Sequence, residues 1–253
     1  MPGRATTRSL RQLSRENAGC IAIRMMPSPS TSIAGSGAVD GLRLPVHDDV
    51  RESFLREGVA IVLNSLDPQA ASTLAEVALT ATARDALEIR RSSDEGSLDY
   101  RVVTGDAIRS DARPIFSLYE SAELLTWIRY VTGKGDVQRS PHLRSAVNIN
   151  LLDTPGQEYR WHHDAVPFTA VLFLTTIPES AGGELLVRTI SGRLLTIEPV
   201  AGQLVLMDGH RCAHAVTRLR AHAARISVPM VFPAVHADRP PGLDDYLYAT
   251  SQQ

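Results

Sequence analysis

Hydrophobic and polar residues follow two different periods along this chain, and the switch falls near residue 143. Before it, apolar residues recur at helical spacing. Residues 47–57 form a short helix candidate that ends before Gly58. Asp67-Pro68 supplies an N-cap and a first-turn proline, and Leu74, Val77, Ala78 and Ala81 follow on one face, so a helix is expected to about Arg90. A further helix over 122–131 carries Leu124, Leu125 and Ile128 and stops at Gly133. Short strands are expected at 59–63 and 98–103, with a turn at Thr104-Gly105-Asp106. Beyond residue 143 the period becomes that of strands, expected at 146–152, 159–164, 168–177, 184–189, 192–197, 203–207 and 225–232. The run 168–177 is apolar throughout and so buried on both faces, while 184–197 reads as a hairpin around Ser191-Gly192. Many short strands at this spacing indicate a sandwich or barrel. The pattern predicts a mainly β domain with supporting helices (α+β) over 45–240, with helical support over 45–140 and a β core over 143–233.

Both ends break the pattern. Residues 1–44 carry Arg4, Arg8, Arg11, Arg15, Arg24 and Arg43 against only Glu16 and Asp40, and are rich in Ser, Gly and Pro from Pro27 to Gly41. This composition predicts a flexible leader, or a start placed ahead of the true one at Met25 or Met26; an Arg- and Ser-rich organelle transit peptide is the alternative. Residues 241–253 read as a loose tail.

Composition narrows the function. The net charge of −2 comes with no basic stripe, so nucleic acid is not an expected partner. No apolar run approaches the roughly 20 residues that span a bilayer, so no membrane is expected. Cys20 and Cys212 are far apart and unlike in context, which argues against a disulfide and for a reducing, cytoplasmic setting. Nothing in the sequence sets the oligomeric state.

The candidate chemistry lies in the β half. In a strand, residues two apart share a face, so His162 and Asp164 can reach one metal together while His163 points away. His214, fifty residues after Asp164, offers a third ligand from a distant strand. Two histidines and one carboxylate, with the remaining positions open, form the donor set of non-haem Fe(II) oxygenases. His210 competes with His214, but the His-x-Val context and the eleven residues separating His214 from Arg225 favour His214. Arg225 and Ser227 offer a fixed cationic fork and a hydroxyl suited to a carboxylate-bearing co-substrate.

Taken in order, His162-x-Asp164, Gly182-Gly183-Glu184-Leu185, Ile197-Glu198-Pro199, Gly202-Gln203-Leu204, His214-x-Val216 and Arg225-x-Ser227 resemble the 2-oxoglutarate- and Fe(II)-dependent dioxygenases, in particular their prolyl-hydroxylase-like branch. The resemblance covers about 44–232. It implies a double-stranded β-helix, or jelly roll, buttressed by the early helices. It also implies Fe(II) held by His162, Asp164 and His214, with O2 and 2-oxoglutarate consumed and succinate and CO2 released. Arg225 and Ser227 would take the far carboxylate of 2-oxoglutarate. Where relatives often place a tyrosine for the co-substrate this chain has Leu152, which leaves Asn150, or else Asn148, as the candidate. Related halogenases carry glycine or alanine at the position of Asp164, so the resemblance implies hydroxylation rather than halogenation.

The expected substrate is a small molecule, such as an amino acid or a natural-product intermediate. Arg101 from a possible lid, and Trp161 and Phe168 flanking the motif, are the candidate contacts. The alternatives are a protein or peptide hydroxylase and a non-catalytic metal-binding β-sandwich sensor.

Overall fold

A computed structural model describes residues 41–93 and 96–249. Cys20 and nearly all of the expected leader therefore lie outside the described residues. Helices come first: α1 (Asp48–Glu57), α2 (Pro68–Asp85), α3 (Gly105–Asp111), α4 (Arg113–Glu120), α5 (Ala122–Thr132) and α6 (Leu143–Ala146). Strands β1 (Val59–Val62), β2 (Leu87–Ser93) and β3 (Gly96–Val103) are threaded between them. The β half then runs β4 (Ile149–Leu152), β5 (Tyr159–His162), β6 (Phe168–Phe173), β7 (Leu185–Arg188), β8 (Leu194–Ile197), β9 (Leu204–Asp208), β10 (His214–Val216) and β11 (Arg225–Phe232), and α7 (Leu243–Tyr248) closes the chain.

Local chemistry explains most boundaries. Gly58 and Gly133 end α1 and α5 in the left-handed region, at φ 75° and 67°, which glycine adopts without a Cβ penalty. Asp67 and Ser121 cap α2 and α5, accepting from the amides of Ala70 and Leu124 at 2.8 and 3.0 Å.

Three expectations are corrected. The helix begun at Asp67 ends at Asp85, because Leu87–Ser93 pairs with β3 along its whole length. The single turn expected at Thr104 opens two helices, α3 and α4. The expected loose tail contains α7, held down by Tyr248, whose hydroxyl donates to Asn148 Oδ1 at 3.0 Å.

All strand pairs are antiparallel, in the order β1-β9-β6-β11-β4-β3-β5-β10-β7-β8, with β2 on the other edge of β3. The chain alternates between two halves of this curled sheet: β4, β6, β9 and β11 on one side, β5, β7, β8 and β10 on the other. That is the jelly roll expected of a double-stranded β-helix. Alternation sorts its faces. Ala170, Leu172, Leu204, Leu206, Ile226 and Val228 pack outward against the helices. Val171, Phe173, Val205 and Met207 point inward toward Leu185, Val187 and Ile197 of the opposite half. Among the described residues no helix is long and apolar enough to cross a membrane.

Candidate active site

The inward face carries the chemistry. β5 and β10 pair so that His162 stands directly opposite His214. Their ring centroids are 4.1 Å apart. Asp164 lies past the end of β5, on the way to β6, and its Oδ1 is 3.6 Å from His162 Nε2 and 3.5 Å from His214 Nε2. One ligand atom from each residue lies within 4.8 Å of the others. His163 and His210 are exposed and take no part.

Second contacts orient each donor. His162 Nδ1 is 3.0 Å from the carbonyl of Arg160, and His214 Nδ1 is 3.0 Å from that of Cys212. A carbonyl only accepts, so each Nδ1 carries the proton and each Nε2 turns a lone pair toward the centre. Asp164 is gripped from behind: Thr169 Oγ1 donates to its Oδ2 at 2.5 Å, which leaves Oδ1 toward the histidines. The Asp164 amide donates to Gly209 O at 2.9 Å, and Gly209 N–H to Pro167 O at 2.7 Å. A Cβ on residue 209 would stand 2.7 Å from Asp164 Cβ and 2.9 Å from its Cγ, so only glycine fits behind the carboxylate.

Charge makes the same point. Burial alone would raise the Asp164 carboxyl, but His214 and His162 outweigh it and hold it well below the usual carboxylate range. Burial alone would lower His214, and Asp164 raises it instead. The meeting point of the three side chains favours a positive charge, which a metal ion supplies without a proton. Two imidazole nitrogens and one carboxylate oxygen suit iron in a facial triad.

Arg225 opens β11 on the same inward face and is 2% exposed. Its Nε donates to Gly183 O at 2.6 Å, one of its terminal nitrogens donates to Ser227 Oγ at 3.1 Å, and its guanidinium lies 5.2 Å from the centre of the Phe173 ring. Among the described residues no carboxylate forms an ion pair with it. Burial pulls it down to about 10, against a weak opposing pull from Glu184, which is itself taken by Thr217 and Arg220. A buried cation without a counter-ion is costly unless an anion arrives to pair with it. Asn150 faces the same space, since it stands opposite Ser227 on β4 and Leu152 stands opposite Arg225. Asn148 is engaged elsewhere, with Tyr248 on its Oδ1 and the carbonyl of Arg144 on its Nδ2.

The three expected substrate contacts are not brought to the site. Trp161 is 37% exposed, on the outer side of β5, under the guanidinium of Arg188. Phe168 faces the helices and packs on Phe54, with ring centroids 6.0 Å apart. Arg101 lies on the opposite face of β3 from Tyr100 and Val102 and pairs with Asp153. Tyr159 takes a place that none of them fills: its ring is 4.6 Å from that of His162 and 4.9 Å from that of Tyr100. Strict alternation from His162 would send Tyr159 outward, but the register between β5 and β10 shifts, so both residues point in.

A family model described as Halogenase D matches residues 45–193, more than half of the chain. The chain belongs to the Halogenase D family. No curated protein matches it in sequence. Solved structures share its fold. The epimerase SnoN, in complex with Fe3+, alpha ketoglutarate and nogalamycin RO, is 17% identical over 81% of this chain and 91% of its own, with a TM-score of 0.63. The alpha-ketoglutarate-dependent carbocyclase SnoK from nogalamycin biosynthesis is 14% identical over 81% and 91%, with a TM-score of 0.64. A Pseudomonas putida prolyl-4-hydroxylase is 22% identical over 74% and 98%, with a TM-score of 0.53. The jelly-roll fold that the resemblance to the 2-oxoglutarate- and Fe(II)-dependent oxygenases implied is borne out.

Proposed function

We propose that this protein hydroxylates a small molecule, such as an amino acid or a natural-product intermediate, using Fe(II), 2-oxoglutarate and O2. The observation that carries this reading is the convergence, on one inward face, of the His162–Asp164–His214 donor set and Arg225, a buried cation with no anionic partner among the described residues. In this reading His162 and His214 would hold the ferrous ion through Nε2, and Asp164 would hold it through Oδ1. The iron would supply the oxidative chemistry that side chains lack. Thr169 keeps Asp164 Oδ2 occupied, so the carboxylate gives the metal one oxygen. Arg225 holds the far carboxylate of 2-oxoglutarate, Ser227 accepts from Arg225 and turns its own proton to the same anion, and Asn150 offers its amide from β4. The apolar wall around Phe173 excludes water and so strengthens the charge pair.

Asp164 supports hydroxylation within a family named for halogenases. Asp164 would give the iron an anionic oxygen where the related halogenases have glycine or alanine, and Thr169 and Gly209 hold that carboxylate in place. Beside His162, Tyr159 packs on an apolar cluster that includes Tyr100, Leu152 and Tyr248 of α7. SnoN, crystallised with a small natural product, offers a precedent on this fold. The test is mass spectrometry after incubation with Fe(II), 2-oxoglutarate, labelled dioxygen and panels of amino acids and natural-product intermediates. Succinate together with a labelled, hydroxylated product is expected. Stoichiometric iron binding without succinate formation would overturn the reading in favour of a binding protein.

A further inference from the structure

Gln203 is a buried polar side chain that nothing above employs. It is 5% exposed, and its Oε1 is buried without a hydrogen-bond partner among the described residues. Buried polar groups nearly always pair, so a bare one points to a missing partner. Its backbone is fully used: the amide donates to Val200 O at 3.0 Å, and the carbonyl accepts from Phe173 N–H at 2.9 Å. The side chain is the part left over.

Its direction follows from the strand. Val205 and Met207 of β9 point into the barrel, and Gln203, two residues before Val205, shares their face. Phe173 lies beside it on β6, and Ser227 lies across from Phe173 on β11. Gln203 and Ser227 therefore stand at one level of the barrel, two strand spacings or roughly 10 Å apart. Phe173 stands on the strand between them, and the Arg225 guanidinium lies 5.2 Å from the centre of its ring. Arg225 and Ser227 thus flank Phe173 on one side and Gln203 on the other.

We propose that Gln203 is a further residue of the 2-oxoglutarate pocket, its side-chain amide binding the far carboxylate from the side opposite Arg225 and Ser227. The inference rests on the function proposed above. The oxygen and nitrogen of a terminal amide exchange places by a half-turn. That turn puts the NH2 group where the unpaired oxygen now sits and makes the buried end a donor to the anion. Gln203 then helps to select a 2-oxo acid with a second carboxylate over one without.

The test is anaerobic calorimetric titration of the full-length, Mn(II)-loaded protein with 2-oxoglutarate and with 2-oxobutyrate, which lacks the far carboxylate. Gln203→Met keeps the bulk and removes the amide. It should weaken 2-oxoglutarate on the order of tenfold, as for one hydrogen bond to a charged group, and leave 2-oxobutyrate and Mn(II) affinity unchanged. Gln203→Glu sets a second anion against the same carboxylate and should weaken 2-oxoglutarate further than the methionine does. Unchanged 2-oxoglutarate affinity in Gln203→Met, or a parallel loss of both oxo acids, would overturn the inference alone. Failure of the unaltered protein to bind 2-oxoglutarate would overturn the proposed function and this inference with it. If neither variant folds, a crystal structure of the unaltered protein with Mn(II) and 2-oxoglutarate decides. The amide within hydrogen-bond distance of the far carboxylate supports the inference, and an amide bonded elsewhere overturns it.

Discussion

Replacing Arg225 by alanine removes a buried guanidinium from the inward face. Its Nε is committed to Gly183 O and one terminal nitrogen is partly committed to Ser227 Oγ, so the remaining N–H groups are left for a ligand. Truncating one member of a buried, hydrogen-bonded charge pair costs about 2–5 kcal/mol. The dissociation constant for 2-oxoglutarate should therefore rise by roughly 30-fold to several thousand-fold, at about 1.4 kcal/mol per decade. Iron affinity should change little, because none of the three metal-donor atoms touches Arg225. The substitution also strips a donor from Gly183 O and from Ser227 Oγ, so folding must be read separately. Thermal unfolding should fall modestly, and added 2-oxoglutarate should stabilise the native protein but not the variant. Arg225→Lys should recover only part of the affinity, since an ammonium cannot serve Gly183 O, Ser227 and a carboxylate as a planar fork does. The assay is a titration of metal-loaded protein with 2-oxoglutarate in the absence of oxygen. An unchanged dissociation constant in the alanine variant would refute the reasoning. The nearby Arg218 and Arg220 would be tested next, although they are already paired with Glu158 and Glu184.

Thr169→Val removes the donor behind Asp164 and should lower Fe(II) affinity about 10- to 100-fold, the usual cost of losing such a contact; Thr169→Ser should restore it, and a metal titration reads both. Asp164→Ala should abolish most hydroxylation, while the unaltered protein in high chloride with labelled dioxygen should give a labelled hydroxylated product and no chlorinated one. A chlorinating native protein, or an undiminished alanine variant, would show that Asp164 is not the carboxylate ligand. The expected leader ends earlier than residue 44, since Leu42 and Leu44 pack on the core and Arg43 N–H donates to Ser65 O at 2.7 Å. A chain starting at Gly41 should keep its thermal stability and its 2-oxoglutarate turnover, because residues 1–40 have the composition of a flexible leader; a large loss of either would show that they pack on the domain.

What the sequence determined by itself was whatever depends on near neighbours or on order along the chain. Asp67, Gly58 and Gly133 marked helix ends because capping is local chemistry. The order of His162, Asp164, His214 and Arg225 singled out the candidate donor set, because independent accidents would have to coincide to give that order. Tertiary structure decided what alternation cannot. Period two says which residues share a face, not which layer that face meets, so Phe168 went to the helices and its neighbour Thr169 to Asp164. A register shift between β5 and β10 turned Tyr159 inward, against strict alternation. Trp161, expected in a pocket wall, and Arg101, expected in a lid, found partners on the outside, in Arg188 and Asp153. Gly209 reads in sequence as one more turn glycine; only the fold sets it behind the Asp164 carboxylate, where a Cβ has no room.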